Sequence, residues 1–312
     1  MVALSNAWIG RHASVLSLPF ACLQLGCADV LDIPSDPQVV DTGPWRCVGS
    51  TPSELTASAQ EAEVRVRTCD FITDCTLDVT GLTAKLCDKR DVGCLQPRLT
   101  GLADINGEFR FRVPTAGGGF QGYLRVDSSV AYCTDSDAFG EVAGPVLCGT
   151  TSPQCDLQAP DARCNVKMFA TAMMFFNPPI VRDVEQPLPL QMFPTAGLPS
   201  VITAAGIQLE PGRGSLFLQA LDCDGRPAAG ISFKVVEHPT VVRSLYVDNG
   251  VVSGTAMHTD ASGIGGFISV PPGFVTVVGY RDDGVAVGEM GLQAAIGVLT
   301  YGTLFPTSKA RP

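Results

Sequence analysis

The sequence predicts an all-β protein in which a signal segment and a spacer precede two tandem β-sandwiches. Three observations carry that prediction. Apolar and polar residues alternate with period two in short runs, as half-buried strands require. Those runs are separated by turn residues, drawn from 33 Gly and 23 Pro in a chain of 312 residues. The second half also restates the first, landmark by landmark, at a nearly constant offset. Bulk properties agree: hydrophobic residues make up 46%, enough to bury a core, while charged residues are only 17%. A formal charge of −10 argues against a nucleic-acid backbone as partner.

Residues 1–27 read as a targeting segment. Arg11 is their one firm positive charge, and an apolar run follows from Ala13 to Leu25, interrupted by Pro19. That run is shorter than the roughly 20 residues a membrane-spanning helix needs and has the pattern of a removable export signal. Leu25-Gly26-Cys27 resembles the lipobox of bacterial lipoproteins, in which a small residue precedes a Cys that is lipidated and becomes the first residue. The resemblance implies lipid attachment at Cys27, although Gln24 stands where the motif usually has Leu. The plainer alternative is a secretory signal with a Cys nearby. Removal of residues 1–26, which hold one Arg and no acid, makes the charge −11.

The chain holds 12 Cys and only 3 His. Cys22 leaves with the signal and Cys27 carries the lipid. Ten remain: Cys47, Cys69, Cys75, Cys87, Cys94, Cys133, Cys148, Cys155, Cys164 and Cys223. An even number in an exported chain reads as a disulfide framework. The absence of Cys-x-x-Cys spacing and the scarcity of His speak against zinc. Sequence leaves the pairing open. Cys87 with Cys94 and Cys148 with Cys155 are the most local candidates, and the crowding of Cys before residue 165 makes the first sandwich the stapled one.

Residues 28–60, with Pro34, Pro37, Pro44 and Pro52 among Ser, Thr and Asp, read as a spacer. The first sandwich is expected over 61–193, with strands at 62–69, 81–86, 107–113 and 122–126. In the third of these Phe109, Phe111 and Val113 share one face. Residues 165–176 suit either an extended run or a helix, and 180–192 is a further extended candidate. A linker over 194–210 carries a short helix at 198–205, stopped by Gly206. The second sandwich follows over 211–306, leaving 307–312 as a tail.

The repeat is specific. Leu216 to Asp222 echoes Val64 to Asp70, Gly230 to Val235 echoes Gly81 to Leu86, and Asp260 to Gly263 echoes Asp104 to Gly107; the offsets are 152, 149 and 156 residues. In Asp222-Cys223-Asp224-Gly225-Arg226-Pro227 the Asp and Gly make a tight turn, with Gly supplying positive φ. Asp260 to Gly263 makes a second turn, and Val270-Pro271-Pro272-Gly273 ends one strand and starts the next. This order of Asp222 to Gly230, Thr259-Asp260 to Gly263, Phe267, then Val270 to Gly273 resembles the carboxypeptidase regulatory-like domain. The resemblance is good over 214–306 and weaker over 62–193, where the Gly-x-Pro turn is missing and Ala103 replaces Thr. It implies a transthyretin-like, Ig-like sandwich acting as a non-catalytic accessory for folding support, spacing or binding.

Chemistry is sparse. His238 and His258 are the only His beyond the signal, and neither sits in a recognisable nucleophile–base pattern. There is no metalloprotease helix motif, nucleophile elbow or phosphate-binding loop, and no cofactor is implied. Asp135, Asp137 and Glu141 offer alternate oxygen ligands of the kind that hold Ca²⁺, although their spacing departs from the calcium-loop pattern. Phe120 and Tyr123, beside Gly117-Gly118-Gly119, are candidate ligand-binding aromatics, with core packing as the plainer reading.

The resulting expectation is a non-enzymatic exported lipoprotein with a structural or protein-interaction role in the bacterial envelope. It would be anchored in the outer membrane, facing the periplasm or the cell surface, or else secreted. Its partner would be an envelope protein or glycan, with no nucleic acid. The alternatives are a glycan- or peptide-binding surface module and, behind it, a hydrolase with an unrecognised site built around His258.

Overall fold

The computed structural model describes residues 43–49, 60–70, 82–116, 118–127, 132–135, 146–147, 164–167, 169–195, 197–239 and 242–307, all within the unit Asp41–Pro312. The first half contributes β1 (Glu61–Asp70), β2 (Thr83–Asp88), β3 (Leu99–Leu102), β4 (Glu108–Pro114) and β5 (Gly122–Asp127). It continues with β6 (Tyr132–Asp135), β7 (Val146–Leu147), β8 (Cys164–Lys167), β9 (Ala172–Phe175) and β10 (Leu188–Met192). After α1 (Gly197–Ala204) come β11 (Gly214–Ala220), β12 (Ser232–Val235), β13 (Arg243–Asp248) and β14 (Val251–Ser253). The last four are β15 (Ile264–Val270), β16 (Gly273–Tyr280), β17 (Ala286–Ala294) and β18 (Leu299–Leu304). The all-β expectation holds.

Strand pairing reproduces the sequence repeat. β1 lies between β10 and β4, parallel to the first and antiparallel to the second. β11 lies between β18 and β15 in the same two senses. β5 is flanked by β2 and β9, and β16 by β12 and β17, all antiparallel. The turns match too: Thr68 donates its amide to Gly107 and Ala220 its amide to Gly263, each at 2.8 Å.

The halves are joined edge to edge. β18 pairs in parallel with β9 through Leu299↔Ala172, Thr300↔Met173 and Tyr301↔Met174. This creates one nine-stranded sheet, in the order β14-β13-β15-β11-β18-β9-β5-β2-β3. Joining two edges removes two rows of unpaired backbone groups that would otherwise invite aggregation. It also explains why β5 and β9 are apolar on both faces: Leu124, Val126 and Ala172 enter the first-half core with Phe109 and Phe111. Tyr123, Met173 and Phe175 instead join the second-half core with Leu216, Phe233 and Leu292. Strands covered on both sides lose clean alternation. On the opposite face of β11, Phe217, Leu245 and Ile268 pack with Phe193 and Ile202 of α1.

Within 165–176, β8 and β9 are strands, so the described part settles as extended chain. Met173 and Phe175 point to one core while Met174 packs against the other, an alternation a helix cannot supply. Only the last part of 180–192 is strand. β3, β13, β14, β17 and β18 are not among the strands singled out from sequence. The β13–β14 hairpin did carry a signal: Asn249-Gly250, with φ of 51° and 78°, is the two-residue turn that hairpins favour.

Candidate functional site

Residues 43–49 form a strap docked on the second half. Trp45 and Val48 pack against its core. The Cys223 amide donates to the Pro44 carbonyl at 2.9 Å, Arg46 pairs with Asp224, and Cys47 is disulfide-bonded to Cys223 across a Cα–Cα distance of 5.8 Å. The Arg46 guanidinium holds the Asp224 carboxyl below its usual range. Asp222 builds the turn beneath, its Oδ1 accepting the amides of Asp224 at 2.8 Å and Arg226 at 2.9 Å. The strap therefore lies inside the stretch read from sequence as spacer. Its bridge had one sequence signal: Cys223 is the lone Cys of the second half, so an internal disulfide had to reach back across the repeat.

The local bridge Cys87–Cys94 is present, with its Cα atoms 5.5 Å apart. Asp91, inside that loop, accepts the amides of Leu95 and Gln96, both at 2.9 Å. Tyr123 donates its hydroxyl to the Asp91 carbonyl at 2.5 Å, and burial pushes its pKa up to about 12. Cys87, Asp91 and Cys94 lie close enough to suggest a metal trio, but their two sulfurs are spent on each other. Phe120 and Tyr123 do not form an exposed platform. Phe120 is buried beside Phe176, with ring centroids 6.1 Å apart, and Tyr123 stacks on Phe175 at 4.8 Å.

Cys69 is also disulfide-bonded. Cys27, Cys75, Cys148, Cys155, Asp137 and Glu141 lie outside the described residues. Cys133 and Asp135 are placed in β6, and Cys164 in β8, by backbone alone. His258 does meet a carboxylate, Asp282, with Nε2 at 3.4 Å from Oδ1, but both side chains are open to solvent. Among the described residues no hydrogen bond joins His258 to a hydroxyl.

A cleft of about 130 Å³ sits over the seam between the halves. Its floor is Met174 of β9, Phe217 and Gln219 of β11, Ile264 of β15 and Tyr301 of β18, and Pro189 and Gln191 of β10 form one wall. Tyr301 donates its hydroxyl to the Gln191 carbonyl at 2.5 Å, tying β18 to the first half. Burial pushes the Tyr301 pKa upward. Sequence could not show this cleft, because its walls come from strands that meet only through the β9–β18 seam.

No protein-family model matches the chain, and no curated protein matches it. Among solved structures it is similar to the Bacillus anthracis TIE protein at 12% identity, covering 79% of this chain and 34% of that one with a TM-score of 0.22. It is likewise similar to the shaft pilin SpaA of Lactobacillus rhamnosus GG at 10% identity, covering 81% and 100% with a TM-score of 0.23. A third is a streptococcal ancillary pilin at 13% identity, covering 81% and 64% with a TM-score of 0.21. The chain spans about a third of the first of these. At such scores the likeness carries no argument about topology or role.

Proposed function

We propose that this chain is a non-enzymatic exported protein of the bacterial envelope. It is tethered through a lipid on Cys27 and displays two carboxypeptidase regulatory-like sandwiches, over 61–193 and 211–306, to an envelope protein or glycan. The observation that carries the reading is the pair of disulfides at Cys47–Cys223 and Cys87–Cys94, since such bonds persist in oxidising compartments. The export-like first segment and the repeated strand plan support it. Among the described residues no helix is long and apolar enough to cross a membrane. Intact mass of protein extracted from native membranes tests this. Diacylglyceryl-Cys27 at the N-terminus is the expected result, and an unmodified chain beginning elsewhere removes the tether.

The seam cleft favours a second reading, capture of one apolar side chain from an extended peptide. Its volume is close to the roughly 150 Å³ of an apolar cavity that takes benzene, and its wall is β10, an edge of the sheet β10-β1-β4. Benzene is a direct probe. Methyl resonances of Met174 and Ile264 should shift on titration, and unchanged spectra would eliminate this reading.

A further inference from the structure

We propose that the Cys47–Cys223 disulfide makes the second half the mechanical base of the molecule and removes the first half from the path of tension. The inference takes its biological meaning from the N-terminal tether proposed above, but the covalent argument stands without it. Cys47 and Cys223 are 176 positions apart. Every strand from β1 to β11 lies between them. A pull on the chain before Cys47 therefore crosses the disulfide directly into Cys223 and continues through β12 to β18. The first half and β11 hang from this path as a closed loop, held to it by the pairings of β11 with β15 and β18 and of β9 with β18.

The strand directions add a polarity. Pro44 meets Cys223 just beyond the end of β11, and Leu221 donates its amide to Leu304 at 2.9 Å. The entering strap and the end of β18 thus share one corner. β18 runs to that corner from Leu299, which pairs with Ala172, and Ala172 pairs with Val126. Asp127, which follows Val126, and Phe169, which precedes β9, therefore lie toward the other end of the sheet. A molecule held at the strap presents that end away from its attachment.

Single-molecule pulling on the full chain, with handles at its two ends, tests the bypass. Under oxidising conditions the fully stretched molecule should stop short. Reductant added at that limit should release roughly 600 Å more, the 176-residue separation at 3.3–3.6 Å per residue. Because the release is read on the wild-type chain, no variant has to fold. Release of the whole length before reduction would overturn the bypass, whatever the mass of Cys27 says about the tether. Conversely, an unlipidated Cys27 with the expected release would remove the tether and leave the bypass standing.

Discussion

Thr259 and Ala103 occupy the same place in the two halves, and only Thr259 closes a polar clamp there. Both donate their amides to the strand entered from the preceding turn, Thr259 to Ile231 at 3.0 Å and Ala103 to Leu82 at 2.9 Å. The Thr259 hydroxyl goes further: it accepts the Ile231 amide at 3.0 Å and donates to the Ala228 carbonyl at 2.7 Å. Thr259→Ala would leave two buried backbone groups short of a partner. A loss of about 1–3 kcal/mol follows, measurable by chemical denaturation, and an unchanged midpoint would deny the clamp any energetic role.

Two turn glycines should differ in cost. Gly225 (φ 74°) has nothing within 4 Å of where a Cβ would stand, whereas at Gly263 (φ 69°) that atom would sit 2.5 Å from the Ala220 carbonyl oxygen. Gly225→Ala should lose about 1–2 kcal/mol from left-handed strain alone. Gly263→Ala adds a backbone clash and should lose about 2–5 kcal/mol. Equal thermal midpoints for the two variants would contradict the close approach.

Acid should weaken the sheet β10-β1-β4 through Glu108. Arg65 and Arg110 stand directly opposite one another across β1 and β4, and the largely buried Glu108 carboxylate binds both, at 2.6 and 2.8 Å. The hydrogen bond from Arg65 holds its pKa below the usual carboxylate value. A depressed folded pKa stabilises above the ordinary carboxylate range, and that contribution is lost as pH falls through the folded value. Glu108→Gln should be less stable at neutral pH and fall less steeply in acid. Parallel pH profiles of melting temperature for the two proteins would count against this.

Removing the long bridge should also be costly. The double variant Cys47→Ser/Cys223→Ser frees a very long loop, and chain entropy puts the loss at about 2–5 kcal/mol. Reductant should lower the wild type further than the variant, since only the wild type still has this bond to lose. Equal stability of wild type and variant under oxidising conditions would mean that the strap contributes nothing.

The strands of the repeat were legible because alternation and turn chemistry are local: β1, β2, β4, β5, β11, β12, β15 and β16 can each be read within about ten residues. Residues covered on both faces were harder to read. Core packing was the plainer reading of Tyr123, but which core it enters shows only when both are seen. The pairings of β18 with β9 and of Cys47 with Cys223 join segments more than a hundred residues apart, for which no local pattern exists.

By itself the sequence determined an all-β chain, its one internal repeat and the Asp–Gly turns, all set by forces acting between near neighbours, and left Cys87 with Cys94 as one local candidate bridge. Only the tertiary structure decided that the two halves share one sheet, that a strap from the spacer locks the second half, and that a cleft opens over their seam. Those features depend on which strand edges and cysteines meet once the cores close. Closure of distant segments is governed by the packing of whole faces, which no single stretch of sequence carries.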